Sequence, residues 1–217
     1  MKILALEFSS PQRSVAALNS DTGSLAEVVD TLSGHAMKPF GLIGDVLKQT
    51  CLEREQIEVV AVGLGPGSYT GIRTAIALAQ GWQLAHGIKF CGISSALCLA
   101  CQEAAEGSTR KFDVVIDAQR GEFYLAKYEV VSGNPNEVSP IQIVPRETVK
   151  ERERSGEALI GPEVTKWFPG GRQMFARAAT LAQVASKRAD FVSGEKLEPI
   201  YLRETNFVKT PGHLSRS

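Results

Sequence analysis

Neither sign of charge prevails in this chain: 24 lysine and arginine residues balance 24 aspartate and glutamate residues across 217 positions. A protein that binds nucleic acid by itself draws much of its affinity from neutralising phosphates. A balanced surface argues against that role for the chain alone, though not inside a complex that handles RNA. No apolar run approaches the roughly twenty residues of a membrane-spanning helix, and no charged-then-apolar leader precedes Ile3. A soluble, cytoplasmic protein without a membrane partner is expected. Histidine is scarce: His35, His86 and His213 stand at no metal-ligand spacing, and neither H-E-x-x-H nor H-x-x-x-H occurs. The expectation is no metal and no cofactor. Cysteine is limited to Cys51, Cys91, Cys98 and Cys101. Cys98-x-x-Cys101 has no second C-x-x-C to complete a zinc site, and S-S-A-L-C-L-A-C-Q-E-A-A reads as an amphipathic helix with small apolar cysteines on its buried side. Serines are plentiful, but none stands with a base in a nucleophilic constellation, so no catalytic residue is assigned.

What is present is alternating secondary structure. Ile3–Phe8, Ser14–Asn19 and Leu25–Leu32 are short β-type runs joined by turn-rich P-Q-R and S-D-T-G, which favours an antiparallel meander. A helix over about Lys38–Gln49 carries Phe40, Ile43, Val46 and Leu47 at helical spacing. A strand at Glu58–Val62, a helix over about Thr70–His86, a strand at Lys89–Ile93 and the Cys98 helix follow. Three meandering strands and then alternating helices and strands predict an α/β fold with a mixed sheet, in the order of an actin-like or RNase H-like lobe. E-G-S-T-R-K at Glu106–Lys111 reads as a boundary between lobes at 1–106 and 107–217, the tail from about 200 packing back on the first. The second lobe is expected to have strands near Phe112–Ile116, Glu122–Val130, Val138–Val144 and Ala158–Ile160, and helices over Arg146–Arg154 and Ala176–Lys187. K-E-R-E-R reads as a solvated helix face. No internal repeat is visible in the sequence.

The most informative stretch is Gly63–Arg73, G-L-G-P-G-S-Y-T-G-I-R, a glycine-rich strand-to-helix corner of the kind that can cradle phosphate. A Walker A loop would need Lys and then Ser or Thr after its last glycine, but Ile72 and Arg73 stand there. The dinucleotide fingerprint fails as well, because the last glycine comes one residue late and no acidic residue follows at the required distance. A glycine turn with Ser68 or Thr70 as helix N-cap remains. The helix behind it carries Arg73 as its only fully charged side chain, with small residues at Gly71, Ala75, Ala77, Ala79 and Gly81. A surface helix normally keeps a charged back. This one predicts burial against its own sheet and against something else, with a wholly internal core helix as the alternative.

Two carboxylates end strands. Glu7 precedes Ser9 and Ser10, and Asp117 precedes A-Q-R-G-E. Glu7, Ser9, Ser10 and Asp117 are the candidates for nucleotide contact, and Glu7 with Asp117 would form an acid/base pair across an interlobe cleft in an actin-fold ATPase or kinase-like enzyme. The alternative is ordinary turn carboxylates, with Asp117 paired to Arg120.

Several segments resemble the TsaB (YeaZ) family of the actin-like superfamily, once called glycoproteases. They are I-L-A-L-E-F-S-S with S-V-A-A-L, G-L-G-P-G-S-Y-T-G-I-R with A-Q-G, I-D-A-Q-R-G-E-F-Y and L-E-P-I-Y-L-R, spanning Lys2 to about Arg203. The resemblance implies a non-catalytic subunit of the machinery that makes threonylcarbamoyladenosine in tRNA. It further implies pairing with the catalytic paralogue TsaD, contact with the ATPase TsaE, self-association when alone, and tRNA engaged only through the complex. TsaD carries an H-x-x-x-H metal motif where this chain reads G-I-S-S-A-L-C-L-A. Carried over by position, the partner face comprises Tyr69, Ile72, Arg73, Ile76 and Gln80, with Phe40, Ile43 and Leu47 on the helix alongside. The family usually has Asp-Thr after strand one; Glu7-Phe8 departs from that and weakens any claim to nucleotide chemistry.

Overall fold

The structure is a computed structural model and describes residues 1–31, 39–85, 87–107 and 110–202. Leu32, Lys38, all three histidines and the tail beyond residue 202 lie outside the described residues. The chain forms two five-stranded mixed sheets flanked by helices, the two-lobed actin-like architecture expected from the element order. In the first sheet β1 (Lys2–Glu7), β2 (Gln12–Asn19) and β3 (Ser24–Thr31) form an antiparallel meander. Strands β4 (Val59–Gly63) and β5 (Lys89–Ile93) run parallel to β1, giving the order β3-β2-β1-β4-β5.

The second sheet repeats that topology. β6 (Lys111–Asp117), β7 (Glu122–Val131) and β8 (Asn134–Pro145) are the meander. β9 (Ala158–Gly161) and β10 (Arg172–Gln173) are the parallel additions, in the order β10-β9-β6-β7-β8. Strand β8 begins earlier than the sequence suggests, because apolar alternation is absent from N-P-N-E at its outset. Helices α1 (Pro39–Thr50) and α2 (Tyr69–Ala85) join strands of the first sheet where α4 (Arg146–Arg154) and the single-turn α5 (Val164–Trp167) join those of the second.

The helices that follow each sheet, α3 (Ser95–Glu106) and α6 (Ala178–Ala185), are exchanged. Helix α3 packs on β6, β7 and β8, whereas α6 packs on β1, β2 and β4. One apolar cluster therefore joins Ile3, Ala5 and Ala16 of the first sheet to Leu99, Leu181 and Ala182 and on to Phe112, Val114 and Tyr128 of the second. The strands of the two sheets lie at residues 2–93 and 111–173, and α3 and α6 cross between them. The outer face of the first sheet carries a second cluster, with α1 and α2 supplying Ile43, Val46, Leu47, Ile72, Ala75 and Ile76. None of the described helices is long and apolar enough to cross a membrane.

The N-terminus of α6 is tied to the first sheet by side chains. Ser14 Oγ accepts the Ala178 N–H at 2.8 Å, and Glu27 Oε1 accepts that of Ala179 at 3.2 Å. Glu27 Oε2 also takes Arg177 Nε at 2.8 Å. Gln102 of α3 holds the approach from both sides, accepting from Arg177 N–H at 2.9 Å and donating to the Phe175 carbonyl at 3.0 Å. Removing the Glu27 carboxylate orphans the first-turn donor and the guanidinium together, so Glu27→Ala is expected to cost about 1–3 kcal/mol. Urea denaturation measures this; an unchanged midpoint would show that α6 is not held there.

Candidate functional site

A cleft of about 660 Å³ opens between the sheets at the carboxyl ends of β1 and β6. Ser9, Ser10 and Arg13 line one wall, Gly67, Ser68 and Tyr69 the adjoining corner, and Asp117, Gln119, Arg120 and Tyr124 the opposite wall, with Ile200 and Tyr201 at the mouth.

Glu7 does not line it. The residue is fully buried beneath the corner, where Oε1 accepts the Ser9 N–H at 2.8 Å and Oε2 accepts the Ser95 hydroxyl at 2.9 Å. Burial raises its pKa, since desolvation outweighs the hydrogen bonds from Ser9 and Ser95 that favour the carboxylate. Asp117 does reach the cleft, where its Oδ1 accepts the Gln119 N–H at 2.7 Å. The acid/base pair considered from sequence is therefore not assembled: one member is sealed in the core and the other closes its own turn. Arg120 is held in the left-handed region, φ 59°, next to Gln119 at φ 65°. A magnesium-bound nucleotide needs a strand-end carboxylate open to the cleft, and Glu7 does not fit that role. Among the described residues, no group of three or more His, Cys, Asp or Glu side chains could hold a metal ion.

The glycine corner faces the chain's own backbone. A Cβ at Gly71 would stand 1.9 Å from the Phe8 carbonyl oxygen, and one at Gly63 would stand 2.0 Å from Glu7 Oε2. Both glycines are explained by close approach of β1 and the turn after it. Ser68 is the N-cap of α2, its Oγ accepting the Gly71 N–H at 3.3 Å, while its own N–H donates to the Ser9 carbonyl at 2.6 Å.

The residues carried over as a partner face divide into two groups. Ile43, Leu47, Ile72 and Ile76 are buried in the first lobe's own core, Ile76 being 7% exposed, so they support the outward surface rather than form it. Helical spacing marks an apolar face without saying whether its own sheet already covers it. Phe40 and Tyr69 are 65% and 55% exposed, and Arg73 and Gln80 also face outward. The Arg73 guanidinium lies 5.1 Å from the Tyr69 ring centroid and donates to its hydroxyl, and Gln80 Nε2 donates to the Gly194 carbonyl at 3.0 Å. Ser95 and Tyr201 were not picked out from sequence. A serine at the start of a helix after an apolar strand is the available signal for the first, and the second stands within the L-E-P-I-Y-L-R segment that carries part of the resemblance.

Fold and site together define a two-lobed protein of the actin-like class whose glycine corner is closed by its own chain. Residues 31–158 match the family described as TsaD, tRNA N6-adenosine threonylcarbamoyltransferase. The tRNA threonylcarbamoyladenosine biosynthesis protein TsaB of Escherichia coli K12 is 27% identical over 246 residues, covering 98% of this chain and 99% of that protein. The protein of the same name from Bacillus subtilis is 31% identical over 163 residues, covering 71% and 68%. YeaZ from Pseudomonas aeruginosa superposes with a TM-score of 0.78 over 93% of this chain and 99% of that one, at 24% identity. The chain belongs to the TsaB/YeaZ family.

Two measurements test the corner. A group whose pKa is raised on folding stabilises the fold when protonated, and that contribution is lost as pH rises through the folded value. Glu7→Gln, which preserves shape and cannot ionise but turns one acceptor oxygen into a donor that Ser95 Oγ must accept, is expected to gain melting temperature relative to the parent as pH is raised from 5 to 8. A pH-independent difference would remove the buried-acid reading. Gly63→Ala is expected to cost about 1–3 kcal/mol through overpacking. In a double-mutant cycle with Glu7→Asp, whose carboxylate is one methylene shorter, that penalty should shrink.

Proposed function

We propose that this chain is a non-catalytic scaffold and activator in tRNA threonylcarbamoyladenosine biosynthesis, pairing with a TsaD-type subunit through the outward face of α1 and α2. The family's named members carry the role in that biosynthesis. The observation behind the pairing is a contrast between two equivalent outer layers. Helix α4 on the second sheet has seven charged residues in nine, with Val149 its one buried residue. Its counterpart α1 has Asp45 and Lys48 alone in twelve, and α2 has Arg73 alone in seventeen. The same topology thus presents a solvated surface on one lobe and a nearly uncharged one on the other, and a face of that kind favours a protein partner.

Both helices run antiparallel to β1, so Phe40 and Tyr69 stand at the cleft end of this face. Small exposed residues at Ala77 and Gly81 permit close helix–helix approach. The same face would serve self-association when the partner is absent. A TsaE-type ATPase is the second direct partner, and tRNA is met by the complex rather than by this chain alone.

Ala77→Arg places a charge at the centre of the exposed stripe without disturbing the core. It is expected to weaken co-purification with the TsaD-type subunit at least tenfold, about 1.4 kcal/mol, while leaving the melting temperature unchanged. Ile76→Arg instead buries a cation in the core and should unfold the chain. Reconstituted tRNA modification, with every other component present, should fall on omission of the chain and with Ala77→Arg. Full modification and intact pairing in that variant would sink the proposal.

A further inference from the structure

The chain after α6, a helix already seated on the first sheet, passes the β5 edge of that sheet and runs along α2. Val192 forms an antiparallel bridge with Phe90 on the edge strand β5, its N–H donating at 2.9 Å and its carbonyl accepting at 3.1 Å. At Gly194 the carbonyl accepts from Gln80 Nε2 and the N–H donates to Gln83 Oε1, each at 3.0 Å. A Cβ on Gly194 would stand 2.3 Å from that Gln83 oxygen and 3.4 Å from Gln80 Cγ, so the strap lies directly against both glutamine side chains. Leu197 is buried beside Leu64 and Gly92. The Ile200 N–H then donates to the Leu64 carbonyl at 2.9 Å, at the start of the glycine corner. Finally the Tyr201 ring, 48% exposed, packs on Tyr69 with centroids 5.5 Å apart.

We infer that residues 192–201 are a clasp that couples the outward face of α2 to the mouth of the interlobe cleft, with Gln80, Gln83 and Tyr69 as the positions it grips. Covering a sheet edge needs backbone pairing alone. Here two glutamines three residues apart, on one face of α2, are committed to the strap as well. The attachments come at three levels: the C-terminal third of α2, the corner at Leu64 and the first residue of the helix. Tyr69 joins them, because it lines the cleft, stands exposed at the cleft end of α2 and is packed by Tyr201. A protein that grips this end of α2 therefore bears on a side chain that also bounds the cleft. That consequence for assembly rests on the docking reading given above; the clasp itself does not.

Amide hydrogen exchange on the full chain, without any partner, tests the clasp. Gln80→Ala/Gln83→Ala and Tyr201→Ala are each expected to speed exchange of residues 192–200 and of Leu64–Ser68 at least tenfold, with Tyr201→Phe close to the parent. Unchanged exchange at Leu64–Ser68 in both alanine variants would overturn the inference and leave the strap a passive cover. Should the double glutamine variant fail to fold, the surface pair Tyr201→Ala and Tyr201→Phe decides. Docking is read separately by co-purification of Ala77→Arg, so either reading can fall while the other stands.

Discussion

The seating of α6 on the first sheet is the contact on which the rest of the molecule depends. Eight residues, A-A-T-L-A-Q-V-A, are too few to hold a helix in water without tertiary support. Ala178, Leu181, Ala182 and Ala185 are fully buried, and Ser14 and Glu27 take the first backbone donors. Without this helix, β1, β2 and β4 would lose the cover of one whole face. Without α3, the second sheet would lose the same. Each half supplies the layer the other lacks, and the cleft is held open at a defined width by a shared core rather than by a linker.

The exchange is laid over a repeated topology. The two sheets have the same strand order and the same alternation of antiparallel and parallel neighbours, yet their sequences show no repeat. What survives is local geometry. Glu7 and Asp117, at the ends of equivalent strands, each accept the N–H of the residue two positions on. Gly63 and Gly161 end the next equivalent strands, and neither has room for a side chain. Function has separated the pair: Glu7 is withdrawn under the corner, whereas Asp117 lies on the cleft wall. On the outside, α1 and α2 carry little charge whereas α4 carries seven charged residues in nine.

The strands, the glycine corner and the uncharged helix were legible because each has a one-dimensional signal: alternation, a motif, a missing charge. Their partners in space were not. The spacing of Ile72 and Ile76 marks an apolar face, but the lobe's own sheet covers it, leaving Arg73, Ala77 and Gln80 outside. The apolar run of α6 could have been assigned to either sheet, since burial by a distant segment leaves no trace in local pattern. Glu7 shows the same limit: its role as acceptor for the turn at Ser9 is one of the readings its strand-end position allows, but its depth is not legible. A carboxylate at a strand end reads as cleft-facing unless one knows that Ser95, 88 residues away, donates to it.

Glycine-rich corners at helix N-termini bind phosphate because they leave backbone N–H groups unpaired at the positive end of a dipole. In this corner several of those groups are already taken. The Gly65 N–H donates to Ser95 Oγ, that of Ser68 to the Ser9 carbonyl, and that of Gly71 to Ser68 Oγ. These donors are satisfied by the chain's own oxygens. What is gained is position. The first turn of α2 is locked to the end of β1, to the start of α3 and, through Leu64, to the C-terminal strap. A helix fixed at so many points is a firm platform, as the docking proposed for its outward face requires.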